Sequence, residues 1–218
     1  MRNDIIRAEV VSTKIISNLS DDLIKELGMK PNHRCIAIIT GSIDDVTFIA
    51  LDEATKSADV EVVYAECTFS AFVGNYTKFA GEAVGVLAGP SPSEVKSGLS
   101  CAMNAIENGA YFKSANDEGT SIYLSHCISR TGSYLSKVAG IEEGEAISYL
   151  IAPPIEAMYG LDAALKAADV KLVACYKPPT ATSNFGGGLL TGTQSACKAA
   201  CDAFEEAVQS VANNPITF

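Results

Sequence analysis

The apolar and polar positions of the chain follow helix and strand periods in an order that occurs twice. Val46, Ile49, Ala50 and Ala54 recur with the spacing of one buried helix face, and a strand is predicted over 60–66. Each half is predicted to contain two extended apolar segments around a short helix, then a longer helix, two strands and a final helix. This combination indicates an α/β (α+β) fold.

The final helix of each half is predicted from its first turn and its apolar stripe. Residues 91–94 (SPSE) and 191–194 (TGTQ) both have the form of a capping box. The stripes are Val95, Leu99, Ala102, Met103 and Ile106 in the first helix, and Cys197, Cys201, Phe204, Val208 and Val211 in the second. Gly109 is expected to end the first of these helices.

The chain contains an internal repeat. Residues 52–63 (DEATKSADVEVV) match residues 162–173 (DAALKAADVKLV) at an offset of 110. Leu23 reappears as Leu135 at an offset of 112. A period of this length indicates two copies of one structural unit.

Length and composition are compatible with two globular domains. The chain has 218 residues, of which 48% are hydrophobic and 19% charged, so it can bury two cores of ordinary size. The repeat predicts a first domain over 1–109 and a second over 110–218.

The charge balance limits the choice of partners. Sixteen basic and 26 acidic residues give a net charge of −10, which repels nucleic acid and anionic membranes and favours a small cation. The sequence has no signal-peptide pattern and no apolar run long enough to span a bilayer, so a cytoplasmic protein is expected. Seven cysteines without a C-x-x-C pair do not indicate a disulfide scaffold or a zinc ribbon.

The sequence predicts neither a catalytic site nor a metal site. The histidines are His33 and His126, and the common hydrolase, metalloprotease and phosphate-loop motifs are absent. His126 and Cys127 are neighbours on a predicted strand, so their side chains point to opposite faces. Cys197 and Cys201 lie on an apolar stripe, which favours core packing. An enzyme that uses Cys127 with His126 is disfavoured, because no third group supports the pair.

Several long segments resemble one protein family. They are 44–56 (DDVTFIALDEATK), 105–110 (AIENGA), 129–136 (SRTGSYLS), 152–160 (APPIEAMYG), 162–170 (DAALKAADV) and 195–204 (SACKAACDAF). In this order they resemble the shell proteins of ethanolamine-utilization bacterial microcompartments, whose chains carry two tandem, circularly permuted BMC domains. The resemblance extends over nearly the whole chain.

This resemblance implies a structural protein and not an enzyme. Each BMC domain is an antiparallel sheet flanked by helices, and three chains form a pseudohexameric disc. Discs tile with other shell proteins into the microcompartment shell, and a gated central pore lets substrates, products or cofactors diffuse through. No cofactor is required, and cobalamin is one candidate for passage or binding because the enclosed ammonia-lyase depends on it. The alternative is a soluble trimeric small-molecule sensor that forms no layers.

The resemblance also assigns residues to the pore and to the edge of the disc. Lys56 and Lys166 match the family's edge lysines, and their recurrence in both repeats favours that role over simple solvation. The pore is expected to be formed by the long loops 67–81 and 177–188. The residues concerned are Phe69, Phe72, Asn75 and Tyr76 in the first loop, and Asn184, Phe185, Gly186, Gly187 and Gly188 in the second.

Ethanolamine, the substrate that the resemblance implies, is an expected ligand. A small alkylammonium ion needs carboxylates or carbonyls around three N–H donors and a partner for its hydroxyl. Asp44, Asp45 and Glu82 supply carboxylates, and the backbone near Phe112 is expected to close the pocket. Alternatively, Asp44 and Asp45 only stabilise a helix N-terminus, with Ser42 and Asp45 as a capping box. That second role does not exclude binding.

Overall fold

The computed structural model describes residues 1–68, 82–178, 180 and 184–216. Its contacts divide the chain into two compact units. The first-repeat unit contains 7–110 and 132–135, and the second-repeat unit contains 1–6, 111–131 and 136–218. The domain boundary at 109/110 stays a prediction.

The elements are, in chain order, β1 (Ile5–Ile6), β2 (Val10–Ile16), α1 (Asp21–Glu26), β3 (Cys35–Gly41), α2 (Asp44–Ser57), β4 (Glu61–Thr68), β5 (Glu82–Gly89), α3 (Pro92–Asn108), β6 (Phe112–Ser114), β7 (Ile122–Ile128), α4 (Ser133–Ala139), β8 (Ala146–Ala152), α5 (Pro154–Ala167), β9 (Val170–Tyr176), β10 (Gly186–Gly192) and α6 (Gln194–Asn213). The predicted order of elements is therefore present in both halves.

The first-repeat unit is an antiparallel sheet in the order β2-β3-β5-β4, with α2 and α3 packed on it. Strand β3 reads CIAIITG and is largely buried, as expected for a central strand. The predicted buried face of α2 is confirmed, because Val46, Ile49, Ala50 and Ala54 are all at most 3% exposed.

The second-repeat unit is an antiparallel sheet in the order β1-β6-β7-β8-β10-β9, with α5 and α6 packed on it. Cys197, Phe204 and Val208 are fully buried on α6. The two helices approach closely at Gly160, where a Cβ would lie 2.7 Å from the Phe204 ring. The predicted fold class, antiparallel sheets flanked by helices, is confirmed.

The starts of the two long final helices differ from the prediction in detail. Ser91 caps α3, with its Oγ accepting from the Glu94 N–H at 3.2 Å. The Glu94 carboxylate accepts from the Asp59 N–H at 2.8 Å and does not complete the box. The prediction for α6 is wrong, because Thr193 is the cap and Thr191 still belongs to β10. The strand simply continues two residues further than the polar pattern suggests.

Four residues of the second repeat, 132–135, belong to the first-repeat unit, and we call them the docked segment. They are fixed to α2 by Asp52, whose side chain is fully buried. One carboxylate oxygen accepts from the Gly132 N–H at 2.7 Å, and the other accepts from the Leu135 N–H at 2.8 Å. Charged hydrogen bonds of this kind are among the stronger contacts in a protein.

Two further contacts complete the attachment of the docked segment to α2. The Thr55 hydroxyl accepts from the Ser133 N–H at 3.1 Å. The rings of Phe48 and Tyr134 pack with their centroids 6.4 Å apart. The outward face of α2 is therefore covered by residues of the other repeat.

Candidate functional site

Three strands and one helix meet at one end of the sheet in the first-repeat unit. In the register of this sheet, Ala83 on β5 pairs with Gly41 on β3 and with Cys67 on β4. Glu82 immediately precedes Ala83, and Asp44 begins α2 just after β3 ends. Residues that are well separated in the sequence therefore converge at this end.

Asp44 lies at the centre of this convergence. Its Oδ1 accepts from the Asp45 N–H at 2.9 Å, and the Cys67 thiol donates to its carboxylate. Burial raises the pKa of Asp44 above its ordinary value of 3.8, although the bonds from Cys67 and from backbone N–H groups oppose that rise. Asp45 and Glu82 are partly exposed. We call Asp44, Asp45 and Glu82 the acidic end.

The predicted capping box at the start of α2 is wrong. Ile43 is the N-cap, and the Ser42 Oγ accepts instead from the Glu9 N–H at 2.8 Å, where β2 approaches. Asp44 and Asp45 still lie in the first helical turn, where negative charge is favourable. A carboxylate can accept several hydrogen bonds, so this position is compatible with ligand binding.

Cys67 is a neighbour of the acidic end that sequence reasoning did not select. Its thiol contacts Asp44 because β4 and β5 pair as far as Thr68 and Glu82. The available signal was the position of Cys67 at the start of the long connection to β5, but strand register cannot be calculated from that alone.

Phe112 lies on β6 in the second-repeat unit and is buried. Its ring meets that of Phe185 edge to face, with centroids 6.2 Å apart. Both aromatic residues therefore contribute to packing within this unit. The prediction that the backbone near Phe112 closes an ethanolamine pocket stays a prediction.

At the equivalent positions of the second repeat, other residues replace the three carboxylates. At the offset of 110, Pro154 and Ile155 stand where the first repeat has Asp44 and Asp45. The strand register places Gly186 where the first repeat has Glu82. The acidic end therefore occurs in one repeat of the two.

The predicted pore loops are only partly described. Phe69, Phe72, Asn75 and Tyr76 lie outside the described residues. Asn184 is exposed and Phe185 half-buried, and both precede β10. The predicted loop 177–188 ends at Phe185, because Gly186, Gly187 and Gly188 are buried residues of β10 that pair with β8. Their part in a pore stays a prediction.

The two predicted edge lysines have different surroundings. Lys56 is 13% exposed and forms ion pairs with Asp52 at 3.7 Å and with Glu53. Lys166 is 74% exposed and pairs with Asp162 on the same helix. An exposed lysine is the better placed of the two to contact a neighbouring molecule. The edge role of both stays a prediction.

Cys127, Cys197 and Cys201 have the properties of packed side chains and not of nucleophiles. Burial raises the pKa of Cys127, and it raises the pKa of Cys201 to about 11. A catalytic thiol needs the opposite shift. Cys197 is fully buried, which agrees with the predicted core position. Within the described part of the chain, no three His, Cys, Asp or Glu residues form a group suited to a metal ion.

No helix among the described residues is long and apolar enough to cross a bilayer.

Comparison with known proteins gives consistent results. The model of the BMC domain family matches residues 151–217. The chain is 59% identical to the bacterial microcompartment shell protein EutL of Clostridium perfringens (strain 13 / Type A), with 100% of both chains covered. It is 48% identical to EutL of Escherichia coli (strain K12), over 98% of this chain and 97% of that protein. The crystal structure of the ethanolamine utilization protein EutL from Leptotrichia buccalis C-1013-b matches with a TM-score of 0.95 and 58% identity, with 100% of both chains covered.

Two antiparallel sheets with flanking helices, a BMC domain match over 151–217 and full-length similarity to shell proteins define a bacterial microcompartment shell protein. Within that class, the chain belongs to the EutL family. The family resemblance found in the sequence is thereby confirmed. The role is structural and not enzymatic, its place is the microcompartment shell, and it requires no cofactor.

Proposed function

We propose that three copies of the chain form a pseudohexameric disc with a gated central pore. Shell proteins of this class oligomerise and assemble with other shell proteins. Two structurally similar units in each chain would give six similar positions around one axis. Substrates, products or cofactors would diffuse through the pore.

Electron microscopy of the concentrated protein tests this assembly. Trimeric discs in a hexagonal layer are expected. Isolated trimers that form no layer, alone or with other shell proteins, would favour the small-molecule sensor instead. Monomers would contradict the pore.

Ethanolamine binding at the acidic end is the second part of the proposal. The observation that carries it is the convergence of Asp44, Asp45 and Glu82 at one end of a sheet. Carboxylates from the start of α2 and the start of β5 can surround an ammonium group from two sides. Residues 69–81 join Thr68 to Glu82 in the sequence, so a ligand here would bind where that connection begins and ends. Binding would shift the pore if the open and closed states differ in affinity.

Titration calorimetry with ethanolamine tests these residues. We expect Asp45→Ala and Glu82→Ala each to weaken binding by about 10-fold or more, because each removes a charged hydrogen-bond acceptor. Asp202→Ala, an exposed aspartate on α6, is the control and should bind like the parent chain. Unchanged affinity in both acidic-end variants would exclude this site.

Asp44→Asn should separate binding from folding. The pKa of Asp44 is raised above 3.8 by burial, so the folded state holds this proton more tightly than the unfolded state. As the pH rises from 3.8 through the raised pKa, ionisation of Asp44 therefore lowers the free energy of unfolding. Asparagine cannot ionise, so the variant should melt at a higher temperature than the parent at pH 7 and still bind ethanolamine more weakly.

The check is a melting series against pH. The stability difference between Asp44→Asn and the parent should shrink as the pH falls through the raised pKa and below 3.8, where the carboxyl becomes protonated in both states. A variant that melts below the parent at pH 7 would contradict the sign of this argument.

Lys56→Asp together with Lys166→Asp should abolish layers but leave discs intact. Lys166 is expected to account for most of the effect, because its side chain is 74% exposed and that of Lys56 only 13%. Electron microscopy of the single and double variants measures this. Intact layers in the double variant would exclude the edge role.

Cobalamin passage or binding is the remaining part of the proposal. A molecule of this size requires rearrangement of the pore loops, which is a known type of gating transition. Flux of cobalamin into assembled shells, measured with and without ethanolamine, tests it. Flux no greater than through shells lacking the protein would contradict it.

A further inference from the structure

Gly41, Ala83 and Cys67 form one row across the first-repeat sheet. Ala83 pairs with Gly41 on one side and with Cys67 on the other, and directly opposite residues of an antiparallel sheet point to the same face. A Cβ on Gly41 would lie 2.1 Å from the Thr47 Oγ1, so this face is the one that α2 covers. The Cys67 side chain therefore lies on the same side of the sheet as the start of α2, where Asp44 is.

Small residues on this face bring the first turns of α2 close to the sheet. Ala83 is fully buried. Two residues further along β5, a Cβ on Gly85 would lie 2.5 Å from the Leu51 Cδ1. A helix that packs this closely keeps water away from its inner side, which is why burial raises the pKa of Asp44.

The Cys67 thiol is a side-chain donor to the Asp44 carboxylate, and it comes from the sheet. The other donors to this carboxylate are backbone N–H groups at the start of α2, among them that of Asp45 at 2.9 Å. The Thr47 hydroxyl in the same turn donates instead to the Ile43 carbonyl at 2.7 Å. An ionised carboxylate only accepts hydrogen bonds, so each donor stabilises its charged form.

We infer that Cys67 is a positioning residue of the acidic end, whose thiol holds the Asp44 carboxylate in its charged form where a cationic ligand can pair with it. This inference rests on the proposed binding of ethanolamine and adds one residue to that site. Cys67 acts through Asp44 and need not touch the ligand. Because a protonated carboxyl attracts an ammonium group far less than a carboxylate does, loss of the thiol should weaken binding most at acidic pH.

The other titratable groups at this end of the sheet are Asp45 on α2 and Glu82 on β5. Strand β3 and helix α3 contribute Gly41 and Ile106 there, neither of which carries a charge, and the Ile106 Cδ1 would lie 3.4 Å from a Cβ on Gly41. Variants that change only the thiol leave both other carboxylates in place. A difference between their pH profiles therefore reports on Asp44.

Carbon NMR of the Asp44 carboxyl in the ligand-free protein tests the hydrogen bond itself. Cys67→Ala removes a donor that lowers the pKa of Asp44, so the midpoint of the carboxyl titration should rise by about half a pH unit or more. Cys67→Ser keeps a donor at the same place and should return the midpoint to the parent value or below it. Asp44→Asn assigns the signal, because it removes this carboxyl from the spectrum.

Titration calorimetry with ethanolamine over about pH 5 to 7.5 tests the consequence for binding, since an amine of this kind loses its proton only well above that range. Where Asp44 is ionised in both proteins, Cys67→Ala and the parent should agree within about 2-fold. At lower pH, Cys67→Ala should bind at least about 3-fold more weakly than the parent, because Asp44 becomes protonated sooner. Cys67→Ser should follow the parent at every pH.

Cys175→Ala is the matched control. Cys175 is exposed on β9, the strand of the second repeat that corresponds to β4. The same substitution there should leave the Asp44 titration and the ethanolamine affinity as they are in the parent. Circular dichroism of every variant checks that the chain is folded.

The outcomes separate this inference from the proposed function. An unchanged Asp44 midpoint in Cys67→Ala would overturn the inference. Affinity lost equally at every pH, or not restored by Cys67→Ser, would indicate packing alone and would overturn it too. A parent chain that does not bind ethanolamine, although its Asp44 midpoint responds to Cys67 as expected, would contradict the ethanolamine site and support the hold of the thiol on Asp44.

Discussion

Gly187→Ala is expected to lower the free energy of unfolding by about 3 kcal/mol or more. A Cβ at this position would lie 1.8 Å from the carbonyl oxygen of Leu150 and 2.8 Å from its carbonyl carbon. Both atoms belong to the backbone of the neighbouring strand β8, so no side chain can rotate away. The backbone φ of +154° is also one that L side chains rarely adopt. Relief would require β10 to separate from β8 in the centre of the sheet.

Urea unfolding measures this cost, and Gly119→Ala supplies the comparison. Gly119 has a φ of +70°, but a Cβ at that position would meet no atom within 4 Å among the described residues. Its replacement should cost only about 1 kcal/mol, from backbone strain without a clash. Equal costs at the two positions would show that β10 and β8 are not packed as closely as the structure indicates.

Asp52→Ala is expected to cost about 3 kcal/mol, because two backbone N–H groups would lose their charged acceptor. The carboxylate bonds Gly132 and Leu135 at 2.7 and 2.8 Å. Burial raises the pKa of Asp52, while these two donors and Lys56 lower it. Its removal should leave a cavity and weaken the attachment of the docked segment, which then depends on Thr55 and Phe48.

Hydrogen exchange of the Gly132 and Leu135 amides, together with urea unfolding, measures the effect. Exchange at both amides should accelerate in Asp52→Ala, because they lose their acceptor. Asp202→Ala is the control, since this aspartate is exposed on α6 and should change stability by less than about 0.5 kcal/mol. Unchanged protection of both amides in Asp52→Ala would contradict its bridging role.

The repeat made much of the fold predictable. The offset of 110 aligns α2 with α5 from the amino-acid sequence alone, and the spacing of Val46, Ile49, Ala50 and Ala54 identifies the buried face correctly. Helix starts were less predictable. A threonine followed by glycine has the composition of a cap, but whether Thr191 still pairs in β10 depends on β8, which is distant in the sequence.

The negative charge of the candidate site could be predicted from the sequence, but the arrangement of its side chains could not. Three carboxylates and a net negative charge pointed to a cationic ligand. The contact of Cys67 with Asp44 depends on strand register, which local patterns do not determine. The docked segment was missed for a similar reason, since a short helix has the same local pattern whichever unit it packs against.

The restriction of the acidic end to one repeat has a consequence for stoichiometry and for evolution. A shell protein with a single domain per chain must carry every substitution six times around a hexameric ring, including any cluster of carboxylates. A duplicated chain can change one half alone, and here Pro154, Ile155 and Gly186 occupy the positions of the three carboxylates. The proposed disc would therefore hold at most three ligands at these sites, in alternate sectors. The ligand sites would then have threefold symmetry, whereas the six similar domains of the disc have approximate sixfold symmetry.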